Sequence, residues 1–117
     1  MESKELMTLA VKALEDKIGE DIRILNIGGV SSIADYFVIA TGNSSTHVHS
    51  LADAVEEKLE KEAGESVLNA EGYQNADWVL LDYGNVIVHI FSKDQRLFYD
   101  LERIWKDGVE IDLSELN

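Results

Sequence analysis

The chain has 117 residues, 45% of them hydrophobic, and carries 23 acidic against 10 basic side chains, which gives a formal net charge of −13. This length suits one compact domain, and the hydrophobic content is sufficient for its core, so a disordered chain is disfavoured. The charge disfavours extensive contact with nucleic acid phosphates. It suits a cationic partner, but charge alone favours the simpler interpretation that it only keeps the protein soluble. The absence of cysteine excludes disulfides, thiolate catalysis and cysteine-based zinc sites.

The first residues predict neither a targeting segment nor a membrane span. Residues 1–5 lead straight into an amphipathic helix pattern, without the basic leader and apolar stretch of a signal peptide. No apolar run reaches the length of about 18 residues that a membrane helix needs. We therefore expect a cytoplasmic location and no membrane partner.

One helix and two strands are predicted before residue 42. A helical apolar spacing extends from about residue 4 to residue 18, where Gly19 ends the helix, and a strand follows at 22–27. The next strand, 36–41, is apolar on both faces, as expected for a central position in a sheet.

A second helix, a short strand and a hairpin follow. The helix is capped by Ser44 or Ser45 and ends at Gly64. A short strand is predicted near 66–69, and the best-defined unit is a β-hairpin at 77–91.

The order of these elements predicts an α/β fold with a mixed sheet of about five strands and three main helices. The third helix, 92–106, begins with a capping-box pattern. The strand–helix–strand unit at 36–69 can place two strands in parallel through a right-handed crossover. We expect a single α/β domain at 1–108. Residues 109–117 form an acidic C-terminal tail, which either docks as an extended segment or stays loose.

The hairpin carries the functional prediction. If Gly84 and Asn85 form its two-residue loop, Trp78 pairs with Phe91, and side chains alternate between two faces. One face is apolar except for a phenol and is the predicted core face: Val79, Leu81, Tyr83, Val86, Val88 and Ile90. The other combines apolar side chains with a carboxylate and an imidazole: Trp78, Leu80, Asp82, Ile87, His89 and Phe91.

This mixed face suits a surface that is exposed in the free protein and buried in a complex. Trp78 is a candidate anchor, and Asp82 is a candidate partner for an Arg or Lys across the interface. Two alternatives stay open. A helix can cover this face, with Asp82 reaching solvent near the turn, and a one-residue slip in register exchanges the two faces.

Patterns for catalysis and metal binding are missing or incomplete. His47 and His49 are two residues apart, so solvent-facing histidines are expected rather than a zinc site. The Gly42–Ser45 turn can cradle a phosphate, but a nucleotidyltransferase also needs paired carboxylates, and Asp35 and Asp82 stand alone in their strands. We predict no enzyme, no cofactor and no metal. A nucleotidyltransferase-like or phosphate-binding enzyme is the alternative.

Several segments occur in an order and spacing typical of one family. Residues 31–45 are SSIADYFVIATGNSS, residues 76–84 are ADWVLLDYG, residues 86–91 are VIVHIF, and residues 96–105 are RLFYDLERIW. Together they resemble the ribosomal silencing factor (Iojap) family. One departure is Asn85, where the family usually has an acid.

The resemblance implies a protein that binds the large ribosomal subunit through ribosomal protein L fourteen, with little direct RNA contact. It implies that this protein blocks joining of the small subunit and lowers translation when nutrients run short. It also implies a nucleotidyltransferase-like topology without the catalytic carboxylates. The partner-binding residues it implies are Trp78, Leu80 and Asp82, with Asp77, His89 and Tyr73 added from their positions. A third hypothesis, compatible with the first, is a homodimer that hides Trp78 in the free state.

Overall fold

The computed structural model describes residues 2–29, 32–98 and 108–116. These residues form three α-helices, six β-strands and a short 3-10 helix. In chain order the elements are α1 (Ser3–Asp16), β1 (Glu20–Asn26), β2 (Tyr36–Gly42), α2 (Ser45–Ala63), β3 (Asn69–Glu71), β4 (Trp78–Asp82), β5 (Val86–Ser92), α3 (Lys93–Phe98), β6 (Val109–Ile111) and the 3-10 helix (Leu113–Leu116). No helix in this part of the chain is both long and apolar enough to cross a membrane.

A mixed sheet with the strand order β3-β4-β5-β2-β1-β6 is the frame of the fold. β2 and β5 run parallel, and the other neighbouring strands of the described sheet run antiparallel. β2 lies between β5 and β1 and is buried along nearly its whole length, which confirms its predicted central position. The α/β class and the mixed sheet with three helices are thus confirmed, while the nucleotidyltransferase-like topology stays a prediction.

The parallel partner of β2 is β5, and not the short strand that directly follows α2. That strand, β3, is exposed at all three of its residues and lies at an edge of the sheet. β5 is buried on both faces along its length, so it can occupy the interior of the sheet and β3 cannot.

The segment after residue 108 adds a sixth strand to the sheet. β6 pairs antiparallel with β1, with Ile111 opposite Ile24 and Val109 opposite Asn26. The first part of this segment, Val109–Ile111, therefore docks as an extended strand, one of the two alternatives that the sequence left open, and Leu113–Leu116 form the 3-10 helix. This strand is the reason that the sheet has six strands rather than about five.

The third helix is described over six residues. α3 spans Lys93–Phe98, and the hydroxyl of Ser92 accepts a hydrogen bond from the N–H of Gln95 at 3.4 Å, which is one half of the predicted capping box. The N–H of Ser92 donates to the carbonyl of Asp77 instead. The predicted continuation of this helix to residue 106 lies outside the described residues.

Both long helices end at a residue in the left-handed conformation. In α2, Gly64 has a φ of 66°, and the next N–H donates to the carbonyl of Leu59 at 3.1 Å. In α1, Ile18 has a φ of 58°, and the next N–H donates to the carbonyl of Leu14 at 2.8 Å. The left-handed residue that terminates α1 is therefore Ile18, one position before the predicted Gly19.

Two apolar layers pack on the sheet. α1 and α2 cover one face, and the hairpin residues predicted for the core are buried there, which confirms that prediction: Val79, Leu81, Tyr83, Val86, Val88 and Ile90. A second and smaller layer covers the middle of the opposite face, formed by Leu25, Ile27, Ala34, Phe37, Ile39, Ile87 and Phe91. Trp78 and Leu80 lie partly buried against this second layer.

Candidate docking site

The β4–β5 hairpin has the register that its turn predicted. Trp78 lies opposite Phe91, and Leu80 lies opposite His89. Because directly paired residues share a face, the predicted division of the hairpin into two faces is confirmed, and the slipped register does not occur.

The hairpin turn is held by backbone and side-chain hydrogen bonds. Gly84 has a φ of 89° while Asn85 has a negative φ, which is the arrangement of a type II′ turn. The N–H of Tyr83 donates to the carbonyl of Val86 at 2.9 Å. One carboxylate oxygen of Asp82 accepts a hydrogen bond from the N–H of Gly84 at 2.7 Å, so this acid also stabilises the turn.

Three alternate side chains of β4 form a partly exposed row, which we call the β4 row: Trp78, Leu80 and Asp82. The two residues between them, Val79 and Leu81, are buried on the opposite face. β4 is second from the edge of the sheet, and its outer neighbour β3 is short. The β4 row is therefore the part of the mixed face that is available to a partner in this conformation.

The β5 half of the mixed face is covered. Ile87 is 7% exposed, His89 4% and Phe91 0%. The expectation that the whole mixed face is open in the free protein is wrong for these three residues. The physical reason is that β5 lies between β2 and β4, where it packs in the second apolar layer with side chains such as Leu25 of β1 and Phe37 of β2.

His89 lies inside this layer as a neutral imidazole. Its Nδ1 accepts a hydrogen bond of 3.1 Å from the indole N–H of Trp78. Because an indole nitrogen only donates, Nδ1 must be unprotonated and the proton of the neutral ring sits on Nε2. The ring makes an edge contact with Phe37 at a centroid distance of 4.7 Å, and burial lowers the pKa of His89 to about 4.

Two carboxylates mark the ends of the β4 row. Asp77 is exposed just before β4, and its backbone carbonyl accepts a hydrogen bond from the N–H of Ser92 at 3.0 Å. Asp82 lies at the other end, about 16 Å along the strand at the usual rise per residue. An indole and a leucine side chain between two acids suit a partner surface that combines apolar and cationic groups.

Tyr73 packs on α2 rather than joining the β4 row. Its ring stacks on His49 at a centroid distance of 4.3 Å, and its hydroxyl donates to the carboxylate of Asp53 at 3.0 Å. This hydrogen bond raises the pKa of Tyr73. Five of the six predicted site residues lie in the β4–β5 hairpin or directly before it. Tyr73 lies apart from them, because α2 covers the other face of the sheet.

Known proteins match this chain over most of its length. The family model described as "ribosomal silencing factor during starvation" matches residues 1–117. The chain belongs to the ribosomal silencing factor family.

Relatives in this family match over nearly the full chain. The ribosomal silencing factor RsfS of Halalkalibacterium halodurans is 43% identical over 114 residues, which cover 97% of each chain. The RsfS of Bacillus subtilis is 42% identical over 114 residues, covering 97% of this chain and 96% of that protein. A crystal structure of a Chromobacterium violaceum protein superposes with a TM-score of 0.87 at 40% identity, covering 91% of this chain and 88% of the other.

In this family member, both histidines of α2 form hydrogen bonds with backbone groups. The N–H of Asn43 donates to Nδ1 of His47 at 3.0 Å, and Nε2 of His47 donates to the carbonyl of Lys17 at 2.8 Å. Nε2 of His49 donates to the carbonyl of Tyr73 at 2.6 Å. Both rings are half-buried, so the expectation of solvent-facing histidines is wrong.

N–H groups at the start of α2 are already hydrogen-bonded within the protein. The hydroxyl of Ser44 accepts a hydrogen bond from the N–H of His47 at 3.1 Å, which identifies Ser44 as the cap. With the N–H of Asn43 bonded to the same histidine, two donors that a phosphate needs are already engaged. Within residues 2–29, 32–98 and 108–116, no group of three or more His, Cys, Asp or Glu residues is arranged to hold a metal ion.

The sequence-based prediction missed a buried cation in this family member. Arg96 is 8% exposed, and its guanidinium donates to the hydroxyl of Thr41 at 2.9 Å and lies 3.3 Å from a carboxylate oxygen of Asp21. These contacts tie α3 to β1 and β2. Nothing in the local pattern indicated them, because an arginine in the first turns of an amphipathic helix usually faces solvent.

Proposed function

We propose that this protein is a ribosomal silencing factor that binds the large ribosomal subunit through ribosomal protein L fourteen. By occupying the surface where the small subunit docks, it blocks subunit joining and represses translation under nutrient limitation. Membership of the family and the names of its relatives support the silencing role, while the partner and the blocking step are our proposals.

The observation that carries the proposal is the partly exposed β4 row. A tryptophan held at the margin of an apolar layer is a suitable anchor, since truncating such a residue in an interface typically costs roughly 2 kcal/mol or more of binding free energy. Trp78, Leu80 and Asp82 are the proposed direct contacts, Asp77 a flanking acid, and Tyr73 a peripheral contact on α2.

The charge of the chain indicates the class of partner. A net charge of −13 repels the phosphates of ribosomal RNA and attracts a basic protein. We therefore propose a protein-mediated contact with little direct RNA contact. The proposed protein has no enzymatic activity and acts in the cytoplasm. This role is compatible with a homodimer that hides Trp78 in the free state.

Co-sedimentation with purified large subunits tests the proposal. Trp78→Ala is expected to lose binding by at least about thirtyfold, the equivalent of roughly 2 kcal/mol. Val109→Ala is the matched control, because it truncates a 67% exposed hydrophobic side chain on β6, at the opposite edge of the sheet. Circular dichroism of both variants checks that the fold is kept.

Two further measurements separate the parts of the proposal. Isolated ribosomal protein L fourteen should bind wild type and not Trp78→Ala. If large subunits bind but isolated ribosomal protein L fourteen does not, the partner assignment is wrong while the subunit assignment stands. Addition of wild-type protein should reduce the fraction of joined ribosomes formed from separated subunits, and an unchanged fraction would falsify the blocking step.

A further inference from the structure

The side chain of Trp78 is fixed by groups within its own hairpin. Its indole N–H donates to Nδ1 of His89 at 3.1 Å across the β4–β5 pair. Its ring stacks on Phe91 at a centroid distance of 5.1 Å and an interplanar angle of 26°. Both supporting side chains are buried, at 4% and 0% exposure, so they form a rigid base beneath a partly exposed indole.

We infer that His89 is the positioning residue of the docking site, which accepts the indole N–H of Trp78 and so holds the ring in its binding orientation. Its effect on binding rests on the function proposed above, whereas its effect on the indole does not. A side chain that is ordered before binding loses less conformational entropy in the complex.

The hydrogen bond also defines what the partner must supply. Because the indole N–H already has an acceptor inside the protein, the partner need not offer a carbonyl or carboxylate to this nitrogen. The indole therefore presents its ring carbons, which suit an apolar side chain or the face-on approach of an Arg or Lys. This agrees with a basic partner and with the acids at the two ends of the β4 row.

Packing alone does not account for an imidazole at this position. Nε2 of His89 carries the proton and is buried without a hydrogen-bond partner among the described residues. An unsatisfied buried donor typically destabilises a fold by about 1–3 kcal/mol. A phenylalanine fills a similar volume among Phe37, Trp78 and Phe91 without that cost, so what the imidazole adds is the acceptor at Nδ1.

Two variants of His89 test this inference. His89→Phe keeps the ring and removes the acceptor, while His89→Asn places an amide oxygen near the former position of Nδ1. The first measurement is the indole N–H resonance of Trp78 in the free protein, assigned by comparison with Trp78→Phe. His89→Phe is expected to shift this resonance and accelerate its solvent exchange about fivefold or more, the equivalent of one lost hydrogen bond, and His89→Asn to restore both towards wild type.

The second measurement is binding to purified large subunits. His89→Phe is expected to bind about fivefold to tenfold more weakly while its thermal midpoint stays equal to or above that of wild type, a separation that a purely structural residue does not show. His89→Asn is expected to recover part of the binding. If the Asn variant does not fold, the Phe variant alone decides the question.

The outcomes distinguish this inference from the proposed function. An unchanged indole resonance in His89→Phe overturns the inference whatever the binding result. A changed resonance with wild-type binding, in a system where Trp78→Ala abolishes binding, overturns the positioning role and leaves the docking site intact. Wild-type binding by Trp78→Ala overturns the docking site itself, and with it any role of His89 in binding.

Discussion

Ile18 and Gly64 both adopt the left-handed conformation at the ends of α1 and α2, with φ angles of 58° and 66°. The N–H of Gly19 donates to the carbonyl of Leu14, five residues back, which is the Schellman arrangement, whereas the N–H of Glu65 donates to the carbonyl of Leu59, six residues back. Glycine adopts this left-handed conformation without strain, whereas a β-branched side chain does so at a cost of about 1–2 kcal/mol. Ile18 is also 79% exposed, so its side chain gains little from burial.

Ile18→Gly is therefore expected to stabilise the protein. The relief of strain exceeds the added entropy of the unfolded chain, and we expect a gain of about 1 kcal/mol, or roughly 4 °C in thermal midpoint. Gly64→Ala is the mirror control and should lose about 1 kcal/mol. A lower midpoint for Ile18→Gly in a thermal melt would show that the isoleucine makes a favourable contact in the folded state.

Asp82 has two roles that two variants separate. Its carboxylate accepts the N–H of Gly84 at 2.7 Å, and it is also the proposed charged contact of the β4 row. Asp82→Asn keeps an acceptor for the turn and removes the charge, so its urea unfolding should match wild type while its binding to large subunits weakens. Asp82→Ala should lose binding and also about 1 kcal/mol of stability.

The salt dependence of binding provides the control for Asp82→Asn. A charged contact makes binding weaker at high salt, so the variant should show a shallower dependence than wild type. Glu15→Gln removes an exposed charge from α1 and should leave both affinity and salt dependence unchanged. Equal losses for Glu15→Gln and Asp82→Asn would mean that only overall charge matters.

Stability should fall on acidification because His89 is neutral in the folded protein. Its pKa is lowered to about 4, whereas an unfolded histidine titrates near 6.5. Above pH 6.5 this contribution to stability is fully present. Between pH 6.5 and 4 the unfolded chain binds a proton that the folded chain does not, so the free energy of unfolding decreases as the pH falls.

A comparison of variants isolates this contribution from that of the carboxylates. Between pH 7 and pH 5, wild type is expected to lose about 2 kcal/mol more than His89→Phe in urea unfolding. His47 and His49 are common to both proteins and cancel in the difference. Parallel pH profiles for the two proteins would show that His89 is not buried as a neutral ring.

Arg96 is expected to contribute more than Lys93 to the attachment of α3 to the sheet. Arg96→Ala removes its hydrogen bond to Thr41, its ion pair with Asp21 and its buried methylene groups, for an expected loss of about 2 kcal/mol in urea unfolding. Lys93→Ala is the control, since that lysine is mostly exposed and lies 3.6 Å from Glu20. It should change stability by less than about 0.5 kcal/mol.

Local patterns in the sequence predicted the hairpin well and its surroundings less well. The register of Trp78 against Phe91 follows from a two-residue turn and strict alternation, and both are local properties. The burial of Phe91 depends on β2 lying beside β5, which no local pattern specifies. The hydrogen bond between Arg96 and Thr41 joins side chains 55 positions apart in the sequence. It too cannot be predicted from local patterns without the sheet topology.

The parallel pairing of β2 with β5 affects the order in which the chain can fold during its own synthesis. Tyr36 pairs with Val86, so the central contact of the sheet closes a loop of about 50 residues, which is slow relative to forming helices or hairpins. Until β5 leaves the ribosomal exit tunnel, β2 lacks its parallel neighbour, and the apolar surface that β5 covers in the folded protein stays exposed. A nascent chain halted between these two strands is therefore expected to be the species most prone to aggregate or to recruit a chaperone.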